Sequence, residues 1–140
     1  MSKTHISTSL RQQVYDRAKG CCEYCLIPEI AVLVPHQIDH VIAEKHGGTT
    51  DLENLALSCT LCNKYKGSDI ASLDPKTRNI TPLYNPRQDR WRDHFQLNNA
   101  EFMPLTSIGR VTVRLLQMNR PDRVKERQLL ILAKLINIPD

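Results

Sequence analysis

Two Cys-x-x-Cys pairs, Cys22 with Cys25 and Cys59 with Cys62, constrain this 140-residue chain more than any other feature. A two-residue spacer lets both sulfurs of a pair converge on one ion from a tight turn. Two such turns complete a tetrahedral thiolate site, the closed geometry of structural zinc. A redox pair needs no second pair, and disulfides suit an oxidising compartment, whereas five cysteines fit a reducing one. Cys21 is then the spare, unless the register slips and it replaces Cys22. Closing such a site can provide on the order of 10 kcal/mol of folding free energy. It also folds residues 26–58 against the segment that opens at Cys59.

Inside that enclosed segment stands "QIDHVI", residues 37–42. Its apolar flanks predict a buried strand, yet Asp39 and His40 sit side by side in it, and burying either polar group alone is costly. Neighbours on a regular strand point to opposite faces. The pair therefore predicts a strand that ends or bends into a site, with the polar loop "AEKHGGTTDLEN" following. "LALS" reads as a short strand and "CTLCNKYKG" as a short helix ended by Gly67. On that helix Cys59, Cys62, Asn63 and Lys66 share one face by their i, i+3, i+4, i+7 spacing.

Elsewhere the pattern is helical at both ends. Ser9 and Gln12 form a capping box for a helix over about residues 10–19, with Leu10, Val14 and Ala18 along one side and Gly20 as its stop. Residues 69–104 are irregular and proline-rich. A helix follows Thr106 or Ser107, with Ile108, Val111, Leu115 and Met118 on one face. Another starts near Pro121 and runs toward Pro139; its stretch "LLILAKLI" predicts burial or a partner chain. A homodimer through this last helix is one expectation.

Composition excludes several classes. The length suits one domain with an extension, and no stretch resembles a transmembrane span or a signal peptide, which predicts a soluble cytoplasmic protein with no membrane partner. Residues 1–68 carry seven Lys+Arg and seven Asp+Glu, so the net charge of +4 lies wholly in residues 69–140. A basic second half hints at a polyanionic partner. Trp91 and Phe95, flanked by Arg90 and Arg92, could stack on bases, although packing under the last helices explains the aromatics better. His36 and His46 are candidates for substrate or metal contact, or merely structural.

The stretch "IDHVI…HGGTTDLENLALSCTLCNKYKG" resembles an HNH endonuclease motif, of the subgroup whose ββα-metal core is held by a four-cysteine zinc. The resemblance spans roughly Cys21 to Gly67. Many members carry histidine where Asn63 stands, so this is an H-N-N variant. It implies that His40 is the general base that takes a proton from water, a task suited to a neutral imidazole. It implies further that Asp39 and Asn63 hold one divalent ion and that Asn54 keeps the loop and the His40 ring in place. Lys66 would add positive charge against phosphate. A carboxylate and an amide carbonyl are hard ligands, which favours Mg²⁺ or Mn²⁺.

The chain is thus expected to be a small α+β protein with a ββα-metal (His-Me finger) core stapled by a four-cysteine zinc site. Residues 1–68 would form the nuclease core with its N-terminal helix, and residues 69–140 a helical extension packed on it. Its expected function is metal-dependent hydrolysis of nucleic-acid phosphodiester bonds, DNA foremost. The rival is a zinc-stabilised module that binds nucleic acid or protein without cutting.

Overall fold

The computed structural model describes residues 4–140. Helix α1 covers Thr8–Arg17 and is capped by Ser7, whose Oγ accepts from the Leu10 amide. The cap lies two residues before the capping box expected at Ser9, because Ser7 already satisfies one of the free amides of the first turn, that of Leu10. Val14 of α1 is fully buried against Leu55 and Leu57, with Leu10, Ala18, Ile38 and Leu52 around them.

The apolar run before "QIDHVI" is mostly not strand. Residues Glu29–Ala31 form a single 3₁₀ turn, and Leu33, Val34 and Pro35 lie exposed. Strand β1 is Gln37–His40 and pairs antiparallel with β2, Leu55–Ser58, in a register that sets Asp39 opposite Ala56 and His40 opposite Leu55. Helix α2, Thr60–Lys66, follows at once; Cys59 caps its start and Gly67, at φ +52°, ends it. The order β1–loop–β2–α2 is the expected ββα unit within an α+β chain.

Residues 69–104, read from sequence as irregular, contain two more antiparallel hairpins. Strands β3 (Ala71–Leu73) and β4 (Ile80–Pro82) pair together, as do β5 (Phe95–Asn98) and β6 (Glu101–Pro104). The four-residue helix α3, Trp91–His94, leads into β5. Helix α4, Ser107–Leu115, starts at Thr106 as its sequence predicts, with the Thr106 hydroxyl accepting from the Gly109 amide. Helix α5 is Pro121–Leu132.

One apolar cluster joins the two halves of the chain. Tyr24, Leu26, Val41 and Ala56 belong to it from the first half, and Tyr84, Trp91, Phe95, Phe102, Leu116 and Met118 from the second. Ring centroids of Trp91, Phe95 and Phe102 stand 5.3–6.0 Å apart in tilted or edge-to-face pairs, each worth about 0.5–1.5 kcal/mol beyond its buried area. Trp91 and Phe95 are therefore packing residues. Arg90 and Arg92 stay exposed, and Arg92 donates to the Pro139 carbonyl at 2.6 Å.

Of the two expectations for helix α5, deep burial is not met. Its apolar end is not buried: Leu129 is 65% exposed and Leu132 81%. The buried side chains of α5 are instead Arg123 and Arg127. Arg127 donates to the Ala100 and Met118 carbonyls at 2.7 and 2.8 Å, and its guanidinium lies 4.4 Å from the Phe102 ring centroid. Hydrogen-bonded guanidinium groups of this kind can be buried without the penalty an unpaired charge would carry.

Candidate active site and metal centre

The knuckle turn after α1 and the start of α2 bring Cys22, Cys25, Cys59 and Cys62 together, all buried, with their sulfurs within 4.8 Å of one another. The Cys25 amide points at Cys22 Sγ (3.5 Å) and the Cys62 amide at Cys59 Sγ (3.4 Å), so each pair curls around its own first sulfur. Four ligands at about 2.3 Å from a tetrahedral zinc lie about 3.8 Å apart, and Cys25 Sγ and Cys59 Sγ are 3.6 Å apart. The residues fit the ion. Cys21 stays outside, its thiol directed to the Lys19 carbonyl, which settles the register in favour of Cys22.

A tetrathiolate around Zn²⁺ carries a net charge of −2, and nothing in the spacing of the chain hints at its counterion. That counterion is Arg123 of α5. Its Nη2 lies 3.1 Å from Cys62 Sγ and 3.9 Å from Cys59 Sγ, while Nη1 donates to the Leu116 carbonyl at 2.6 Å. Burial works against this charge, but the thiolates of Cys62 and Cys25 outweigh it and hold the guanidinium firmly protonated.

The two faces of the β1–β2 ribbon carry different chemistry. Gln37 and Asp39 face α2, where Asn63 Nδ2 donates to Gln37 Oε1 and the Lys66 ammonium meets Asp39. Asp39 is 4% exposed and Lys66 2%. The ammonium stands 3.2 Å from Oδ1 and 3.1 Å from Oδ2, and also donates to the His40 carbonyl at 3.1 Å. The Tyr24 hydroxyl donates to Asp39 Oδ2 at 2.7 Å. Burial pushes the Asp39 carboxyl above its usual range, and Lys66 and Tyr24 pull it back. Burial and the neighbouring carboxylate keep the Tyr24 phenol protonated.

His40 ends β1 on the opposite face. Its Nε2 lies 2.9 Å from Thr50 Oγ1 in the loop. Asn54 ties that loop together: its Oδ1 accepts from the Ile42 amide at 3.0 Å, and its Nδ2 donates to the Ile42 and Thr49 carbonyls, both at 2.8 Å. Gly48 packs directly on this bond set; a Cβ there would sit 1.7 Å from the Ile42 carbonyl oxygen and 2.7 Å from Asn54 Nδ2. His46 is exposed on the same loop, whereas His36 is anchored elsewhere, to the Ile27 carbonyl.

The expected site residues are thus brought to one ribbon but not to one point. His40 and Asn54 share the loop side; Asp39, Asn63 and Lys66 share the α2 side. The donors at Asp39, Asn63 and Gln37 are a carboxylate and two amides, a set of hard oxygens that fits Mg²⁺ or Mn²⁺. Lys66 is buried in an ion pair with Asp39 rather than lying at the surface. Sequence reasoning missed that pairing, and it missed Tyr24, Thr50 and Arg123, because none of these three belongs to the spacing pattern that singled out the others.

Residues 22–69 match the family model described as HNH endonuclease. No curated protein and no solved structure matches the chain.

Proposed function

We propose, on the premise that residues 22–69 are the HNH endonuclease module that the family match and the zinc-fitted ββα unit indicate, that this protein hydrolyses phosphodiester bonds of nucleic acid, DNA foremost. The observation that carries the proposal is the position of His40: it closes β1, its ring is held through Nε2, and it lies beside a loop that Asn54 fastens with three hydrogen bonds. A histidine held this way can take a proton from water, which supports the reading. Asn54 holds the loop in shape, and the zinc centre fixes α2 against β1.

Asp39 and Asn63 are the residues that would hold Mg²⁺ or Mn²⁺, with Gln37 beside them. When bound, the ion supplies charge neutralisation for the scissile phosphate and the departing oxygen. Of the roughly four acceptor directions of a carboxylate, Tyr24 and Lys66 engage three at Asp39. Lys66 must therefore yield before Asp39 serves as a ligand. That same pairing is the observation that favours the rival, a zinc-stabilised binding module without hydrolysis.

The basic second half supports a polyanionic partner through phosphate contacts, which give salt-sensitive, sequence-tolerant binding. Among the described residues no helix is long and apolar enough to cross a membrane. Thiolates that must stay reduced support the cytoplasm as the setting. The apolar side chains left exposed on α5 are where a second copy would dock to let both strands be cut.

Cleavage of supercoiled plasmid with Mg²⁺ or Mn²⁺, wild type beside His40→Ala at equal zinc content, tests the reading. Cutting by the wild type alone is expected. Equal cutting by both would remove His40 from the chemistry, and DNA binding without cutting by either would favour the module.

A further inference from the structure

The loop between β1 and β2 does more than hold the His40 ring; its hydrogen bonds have a direction. Thr50 Oγ1 lies 2.9 Å from His40 Nε2 and donates its own proton to Glu44 Oε2, 3.1 Å away. A threonine hydroxyl has one proton and two lone pairs. With that proton given to a carboxylate, the oxygen faces His40 only as an acceptor. The hydrogen of the neutral ring must then sit on Nε2, and Nδ1 keeps the free lone pair.

We infer that Glu44 and Thr50 form a positioning relay that fixes His40 in its Nε2–H tautomer and presents Nδ1 as the proton-accepting atom. The loop is built to hold both members. Glu44 opens the 3₁₀ turn Glu44–His46 and also accepts from the Thr4 hydroxyl at 2.7–2.8 Å. Thr50 follows Thr49, whose carbonyl is pinned by Asn54. Asn54 therefore acts on His40 through Thr50, at one remove from the ring.

The catalytic use of this relay rests on the nuclease reading. In that reaction water gives a proton to Nδ1, its oxygen bonds to phosphorus, and the bond from phosphorus to the leaving oxygen breaks, that oxygen keeping the electron pair and taking a proton from solvent. The ring becomes an imidazolium whose Nε2–H points into Thr50, with the Glu44 carboxylate behind it. The arrangement has the logic of a base oriented by a third group, with a hydroxyl inserted between imidazole and carboxylate.

Two measurements on the zinc-loaded full chain test it. Long-range ¹H–¹⁵N correlation spectra at alkaline pH, with His40 assigned by comparison with His40→Ala, should show Nε2 protonated and Nδ1 bare. The opposite tautomer in the wild type overturns the relay. Glu44→Ala frees the Thr50 proton to turn toward the ring and should give mixed tautomers; an unchanged single tautomer removes Glu44 from the relay. In plasmid cleavage Thr50→Val should be slower by about tenfold or more, and Thr50→Ser should recover most of the rate. Thr50→Val cutting at the wild-type rate overturns the catalytic role of Thr50. A wild type that cuts no nucleic acid overturns the nuclease reading and the use of Nδ1 with it, while the tautomer stands or falls on the spectra alone.

Discussion

Gly48 shows how little freedom the loop around His40 has. Any β-carbon there collides with the Ile42 carbonyl, which Asn54 also holds. Gly48→Ala should therefore break the Asn54–Ile42 pairing and lower stability by about 2–3 kcal/mol, read as a drop in urea midpoint, with cleavage falling alongside. An unchanged midpoint would mean that the loop adapts and that Asn54 does not fasten it. At this scale the chain was legible where chemistry depends on spacing. The four cysteines were legible because two Cys-x-x-Cys pairs have few other uses. Lys66 was misplaced for the opposite reason: a lysine near the end of a lysine-bearing helix reads as surface, and only the fold reveals that it is sealed over Asp39.

Helix α4 is fastened to the β3–β4 hairpin by an ion pair. Asp74 is fully buried and accepts from Arg110 through Nε (3.0 Å) and Nη2 (2.9 Å), from the Thr77 hydroxyl (2.9 Å) and from the Lys76 amide (3.2 Å). The guanidinium hydrogen bonds, foremost, hold its carboxyl well below the usual carboxylate range. A carboxyl depressed in the folded state contributes stability that is complete above its unfolded value, about pH 4, and is lost as pH falls through the folded value. Asp74→Asn should accordingly be less stable than wild type at pH 7, and the gap should narrow as the pH drops below about 4. Urea midpoints across that range measure it; a gap constant with pH would deny the ion pair its role. Elements with strong local signals, α2, β2 and the start of α4, were legible. Strands β3 to β6 were not, since each has three or four residues and β4 and β6 end in proline. The buried side of α5 was not legible because apolar residues mark a buried face only when nothing else offsets the cost of burial, and here carbonyls and thiolates satisfy two arginines.

Across the molecule, the zinc centre and the C-terminal half share a core. Trp91, the single tryptophan, is 2% exposed and donates from its indole nitrogen to the carbonyl of Tyr24, inside the first cysteine knuckle. Removing zinc with a chelator should therefore red-shift Trp91 emission and loosen both halves in one transition, followed by fluorescence and hydrogen exchange. Retention of a buried Trp91 after complete zinc loss would show that residues 69–140 stand without the metal. The union of the halves was only partly readable in the sequence, because the contacts that make it lie far apart along the chain. Trp91 bonds Tyr24 across 67 residues, and Arg123 reaches Cys62 across 61. As the polypeptide leaves the ribosome, all four cysteines are made before Arg123 is joined. The metal knot can be tied early while its charge is still unanswered, and the arrival of the last helix is the step that brings Arg123 to offset half of it. Assembly of this protein thus has an order written into it, with the final helix as the closing event.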